Sequence, residues 1–321
     1  MKKILLPILA LVASTNTIMA VDDNTVEVSF NGTTATVSVA SNISSYITNQ
    51  SSGSHVKLVQ SADFQGNSTG EITYILSGTS TDGEFYLEGS YKCTVELQGL
   101  TLTNPSGPAL NIQNGKRVKV SAKSGTTSTL ADGANEEYNG CLHCKGHTEF
   151  KGKGTLNVIG NSRHAIYSKE YVEVKNITLN ITQAVKDGIH CKEYFLMESG
   201  TVSIKGVEDD GIQVELSSDA QTGQTSAHED ENSGNFYMED GTLSIAVLDY
   251  GGEHVKVDGT TTYGGGTRNF TTTATAINDL QVENETTAST FDLSGRRIDG
   301  RQAKGLVIVR QGGKMVKKIV K

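Results

Sequence analysis

The sequence predicts an all-β chain wound as a right-handed parallel β-helix, with three short strands per coil and a period of about 23 residues. Three observations predict it. Leu142, Ile166, Ile189 and Ile212 recur at this step to within one position, and two positions on, Cys144, Ser168, Cys191 and Val214 keep the same register. Leu156, Leu179 and Val202, with Val158, Ile181 and Ile204, repeat at the same step. The composition agrees: 35 Gly against 3 Pro suits many tight turns, and 6% aromatic residues with no Trp suits a core of stacked aliphatic side chains.

Taken in order, the chain opens on Lys2 and Lys3, an apolar run from Ile4 to Val12, and Ala20 before Val21-Asp22-Asp23. This is the pattern of a secretory signal over residues 1–20, and the apolar run is too short to span a bilayer. Residues 21–70 alternate in Val26-Glu27-Val28-Ser29-Phe30 and Ala35-Thr36-Val37-Ser38-Val39. They are expected as an N-terminal β cap, since the open end of a solenoid invites edge-to-edge pairing. The coils are expected over 71–260, beginning with Ile72–Leu76, Phe85–Leu87 and Val95–Leu102. Ala109-Leu110-Asn111-Ile112 joins the Leu142 set after a longer excursion through Asp132-Gly133. Each regular coil adds a middle strand: Thr148-Glu149-Phe150, Tyr171–Val174, then Tyr194–Met197. A polar insertion at 217–233 interrupts one corner, after which Phe236-Tyr237-Met238, Leu243 and Ile245 restore the register. Glu253-His254-Val255-Lys256 is aligned with Ile189-His190-Cys191-Lys192. Residues 261–275 read as a linker, and 276–321 as a small C-terminal β domain.

The formal charge of −8 is unevenly spread. Residues 291–321 hold nine Lys/Arg against two Asp, so this tail is +7 and the remainder −15. So acidic a body excludes nucleic acid as a partner and suits a cation. Export permits disulfides, but coils ~4.8 Å apart would place Cys144 and Cys191 about 10 Å apart, beyond bridging distance. Cys93, Cys144 and Cys191 are expected as small inward residues.

One residue past each inward position lies an outward column of His143, Tyr167, His190, Gln213 and His254. Three past it lies a second, Lys145, Lys169, Lys192, Glu215 and Lys256. Lysines one coil apart repel each other, and a carboxylate-bearing polymer along the axis would relieve that. Sugar rings could stack on Tyr167 or the imidazoles, with rungs spaced about as sugars are in an extended chain. At the turns, Asp187 and Asp210 occupy equivalent positions, with Asp209, Glu208 and Asp249 nearby. Stacked carboxylates supply the oxygen ligands Ca²⁺ takes, although Asp-Gly is also ordinary turn chemistry. Cys141, Cys144 and His147 do not make a zinc site, because strand alternation points them apart. Lys145 stands where haem attachment would require His.

Tyr74-Ile75-Leu76-Ser77-Gly78, the segment Gly125–Gly133, and the repeated Asp187-Gly188-Ile189-His190 and Asp209-Asp210-Gly211-Ile212 resemble a family of secreted carbohydrate-binding β-helix proteins with a pectate lyase-like fold. The resemblance covers roughly residues 25–260. It implies calcium-assisted binding of acidic polysaccharide such as polygalacturonate, without lyase activity, with Asp187, Asp209 and Asp210 as metal positions. Tyr250-Gly251 before Gly252 departs from the pattern. Asp292-Leu293-Ser294-Gly295-Arg296-Arg297, Lys304–Val309 and the basic end resemble a type IX secretion sorting domain. That resemblance implies the surface or surroundings of a Gram-negative bacterium, and the secretion machinery as a partner.

Three functions follow as expectations. One is a monomeric non-catalytic polysaccharide binder with Ca²⁺ as cofactor. Another is a polysaccharide lyase in which Lys192 or Lys169 removes the proton α to the uronate carboxylate. The last is a surface adhesin or spacer.

Overall fold

Strands with one apolar face can close a core without a second sheet if the chain coils and buries that face inside itself. The computed structural model describes residues 21–134, 136–216, 233–248, 252–273, 289–293, 295–298, 305–311 and 314–320. The expected signal segment, the insertion from 217 to 232 and residues 249–251, Asp249 among them, lie outside these.

Up to Thr273 the chain forms one compact unit, a parallel solenoid with three faces. The first face is a 9-stranded sheet. It stacks His55–Gln60, Glu84–Gly89, Leu110–Asn114, Gly140–Cys144, His164–Ser168, Ile189–Cys191, Ile212–Val214 and Val255–Val257 in parallel, with Ile47–Asn49 added antiparallel at one edge. The second and third faces share a 16-stranded sheet, because the long strands Ile72–Ser80 and Cys93–Asn104 run through both. Later coils split that long strand in two, as in Thr148–Gly152 and Thr155–Gly160.

The bend between second and third faces recurs with one backbone device, a residue of positive φ. Gly125, Gly152, Gly200, Gly241 and Gly266 take it, and in one coil Asn176 does at φ 61°. A Cβ on Gly241 would lie 2.6 Å from the Gly200 carbonyl oxygen, so both the dihedral and the stacking above select glycine.

Inside, the expected files are present. Leu142 pairs with Ile166, Ile166 with Ile189 and Ile189 with Ile212, all fully buried. Each such side chain contributes roughly 1.5–3 kcal/mol by leaving water. Phe195 and Phe236 stack at 5.1 Å on the second face. All four cysteines are buried free thiols.

Three boundaries differ from those expected. The parallel ladder starts before residue 71: Thr25–Asn31 pairs parallel with Ile72–Ser80, and His55–Gln60 with Glu84–Gly89. Only the hairpin partner Thr34–Val39, the 3-10 turn Ser41–Tyr46 and Ile47–Asn49 stand outside it. Residues 261–273 are not a linker, since Thr261–Tyr263 and Thr267–Thr273 form the last rung. Thr-rich sequence disguised those strands. The final coil is also offset by two residues: Val255, not Glu253, pairs with Ile212. A shift of two residues keeps the inward and outward faces and moves each side chain one place along its own face.

The second unit begins at Ala274. Its described strands, Ser289–Phe291, Arg297–Ile298, Gly305–Gln311 and Lys314–Val320, form a 4-stranded antiparallel sheet.

Candidate functional site

The outward column of the first face is longer than the sequence showed. Register pairs Lys57, Tyr86, Asn111, His143, Tyr167, His190, Gln213 and Lys256 in succession. His143 stacks on Tyr167 at 5.2 Å with an 11° tilt, and Tyr167 on His190 at 5.3 Å with a 20° tilt. Tyr167 and His190 are buried, so their flat faces are spent on one another and do not offer a platform to sugar. Desolvation pushes His143 down to about 4, and its Nδ1 accepts the Asn139 N–H at 3.3 Å.

The two-residue offset corrects the last rung. Lys256 stands in the aromatic column after Gln213, and His254 leaves it, stacking on Phe270 at 5.1 Å with Nε2 at 2.9 Å from the Thr271 carbonyl. The lysine column is therefore Lys145, Lys169 and Lys192. Lys145 and Lys169 are exposed, with no ion pair among the described residues. Lys192 donates to Glu215 at 2.7 Å, and that carboxylate holds its ammonium above the usual range. A general base needs the opposite shift, so Lys192 is a poor proton acceptor.

Asp187, Asp209 and Asp210 do converge, with one oxygen of each within 4.8 Å of the others. Asp187 and Asp210 are buried and Asp209 is exposed. Asp187 Oδ1 accepts the Asp210 N–H at 3.1 Å, while its Oδ2 faces the Nδ1 atoms of His164 and His190. Burial favours the protonated Asp187, but the hydrogen bonds from both imidazoles prevail and hold its carboxyl well below the usual range. Asp210 Oδ1 accepts the Glu253 N–H at 2.6 Å and its Oδ2 meets Lys256 Nζ at 2.9 Å. Partial desolvation and then the charges of Asp187 and Asp210 push the Asp209 carboxyl upward, so negative charge remains in excess at this corner. The oxygen donors and that excess suit a hard cation, which would take Lys256's place at Asp210.

The sequence missed a cleft on the same face, a cavity of about 540 Å³. Its lining includes Tyr86 and Asn111, consecutive in the outward column. The turn Asn104–Pro108 contributes to one wall, held by Asn104 Nδ2 donating to the Pro108 carbonyl at 2.8 Å. Residues Glu136, Glu137 and Tyr138 contribute to another. The Ala134 N–H ties the two segments, donating to the Pro105 carbonyl at 2.8 Å. Glu84 accepts from Asn111 Nδ2 at 3.1 Å, and burial pushes its carboxyl up. Tyr138 packs edge-on to His143 at 5.2 Å, linking cleft and column. A signal was available: the step from Leu110 to Leu142 is longer than the step from Leu142 to Ile166, and the excess builds this wall.

Fold and site together define a parallel β-helix whose flank offers aromatic rings beside amide and carboxylate groups, a set that matches the apolar faces and hydroxyls of sugars. The chain belongs to the family described as "Carbohydrate-binding domain-containing protein", whose sequence profile matches residues 65–318. Among solved structures it resembles a polysaccharide lyase-like protein from C. thermocellum, studied as a gadolinium derivative. The TM-score is 0.53 at 18% identity, over 78% of this chain and 96% of that one, a likeness of fold. No curated protein matches the chain in sequence.

Proposed function

We propose that the protein is a non-catalytic polysaccharide binder that holds its glycan along the first face, from the Tyr86–Tyr138 cleft towards Lys145 and Lys169. The observation that carries this reading is the cleft: two tyrosines with Asn111 and Glu84 in a cavity of about 540 Å³. The carboxylates Glu84 and Glu137 accept sugar hydroxyls and repel uronates, so the cleft takes a neutral residue. On the following rungs the exposed ammonium groups of Lys145 and Lys169 suit uronate carboxylates. Rungs ~4.8 Å apart approximate the rise of an extended glycan.

Calcium enters the proposal at Asp187, Asp209 and Asp210, supported by their convergence and by the charge excess felt at Asp209. Export through the 1–20 signal, and surface delivery through a type IX sorting function of residues 276–321, complete it. The ion-paired state of Lys192 argues against it as the base of a lyase.

Affinity electrophoresis against polygalacturonate and a neutral glucan, with absorbance followed for unsaturated product, tests the proposal. Retention without product is expected. Tyr86→Ala and Tyr138→Ala should each weaken retention by about tenfold, the loss of one aromatic contact. Product formation would make the protein a lyase, and no retention on either polymer would leave a spacer.

A further inference from the structure

The imidazole side of Asp187 has a chemistry that calcium does not explain. His164 and Asp187 occupy successive rungs of one column, and His190 lies three residues after Asp187. His164 Nδ1 is 3.1 Å and His190 Nδ1 2.9 Å from the same atom, Asp187 Oδ2. All three residues are buried, at 7%, 6% and 1% exposure.

The hydrogen-bond inventory around His164 does not close. The Asp187 N–H points at His164 Nδ1 at 3.2 Å, which requires a bare lone pair there. Bare, that nitrogen then faces the Asp187 carboxylate oxygen, acceptor against acceptor. Protonated, it satisfies the carboxylate and takes from the buried Asp187 N–H its acceptor. Either choice costs a hydrogen bond in a desolvated place. A cation among the two nitrogens and the oxygen removes the acceptor-acceptor contact and satisfies all three ligand atoms, at the same cost to the Asp187 N–H as the protonated ring. Nitrogen–oxygen separations near 3 Å are those of ligands sharing one ion at about 2.0–2.2 Å. The outer atoms also suit a metal: His190 Nε2 faces the Glu215 carboxylate at 3.5 Å, and Asp187 Oδ1 takes the Asp210 N–H. Partners of this kind orient ligating imidazoles and carboxylates.

We propose that His164, Asp187 and His190 form a site for a divalent transition ion of the imidazole-preferring class, distinct in chemistry from the oxygen-only corner with Asp209 and Asp210, with which it shares Asp187. Two nitrogens and one carboxylate oxygen leave a fourth position for water. The ion cross-links two successive coils at the turn beside the aromatic column. The proposal does not depend on glycan binding.

The test uses the whole chain without a histidine tag, stripped with EDTA and titrated with Zn²⁺, and with Co²⁺ as a spectroscopic probe. One Zn²⁺ per chain and a rise of several degrees in melting temperature are expected. Co²⁺ should give visible bands of nitrogen ligation. His164→Gln and His190→Gln, which retain an amide donor towards Asp187, should each abolish both responses. Asp209→Asn should leave them intact while removing any response to Ca²⁺. Metal-free melting curves establish that each variant is folded. An absent Zn²⁺ response in the unsubstituted chain, or one retained in either folded His variant, overturns the proposal and leaves a hydrogen-bonded triad.

Discussion

At the scale of single residues, the first face shows how neighbours in a stack decide what an exposed-looking side chain can do. Tyr167 points outward by register, yet rings above and below cover it. His143 is held neutral by desolvation, with a value near 4 against an unfolded value near 6.5. Its folded value is depressed, so the folded chain binds the proton less well than the unfolded one. The associated stability is present above about pH 6.5 and is lost as pH falls through about 4. Urea midpoints measured across that window should fall with acid, and His143→Gln should flatten the slope. An unaltered slope would place the sensitivity elsewhere. The lysines teach the same lesson: Lys192 is spoken for by Glu215, and only Lys145 and Lys169 remain for an anionic chain.

Among elements, the corner residue sets whether one coil can lie on the next. Gly241 combines a φ of 95° with close approach to the carbonyl beneath it. Gly241→Ala should destabilise by about 1–3 kcal/mol through strain, read as a lower denaturant midpoint with unchanged m. Asn176→Gly should be tolerated within about 1 kcal/mol, because Asn already visits that region. A cost at Gly241 no larger than that at Asn176 would mean that neither the dihedral nor the close stacking selects glycine there. The cleft is an element-scale feature too. It exists because the coil from Leu110 to Leu142 is longer than those after it and folds its surplus over Tyr86 and Asn111, tied down at Pro105.

Across the whole solenoid, hydrogen bonds and ion pairs link the turns of successive coils. Lys256, Asp210 and Asp187 join three coils through one carboxylate ladder, and chelation should lower the melting temperature if ions reinforce it. Scanning calorimetry before and after EDTA, then with Ca²⁺ restored, reads this directly; an unchanged value would remove calcium from the account. The files Leu142–Ile212 and Leu156–Val202 were legible in the sequence because inward positions must be apolar at every rung, so periodicity records them. The convergence of Asp187, Asp209 and Asp210 was legible for the same reason, as turn residues repeat with the coil. His254 and Lys256 fall outside their expected columns because the last strand of the first face is anchored only by the partly buried Val255 and Val257, and the pairing of Val255 reveals its register. The strands within 261–273 escape sequence reading because Thr and Gly carry little apolar alternation. The cleft could be suspected from a long coil, but its lining could not, since the return path of a surplus loop depends on contacts such as Ala134 to Pro105. By itself the sequence determined the coil, its period and the columns, since these are set by repetition along the chain. Tertiary structure alone decided which column members are buried, which charges are already paired, and that His164 and His190 share one oxygen of Asp187. Those outcomes depend on side chains from different coils competing for the same neighbours.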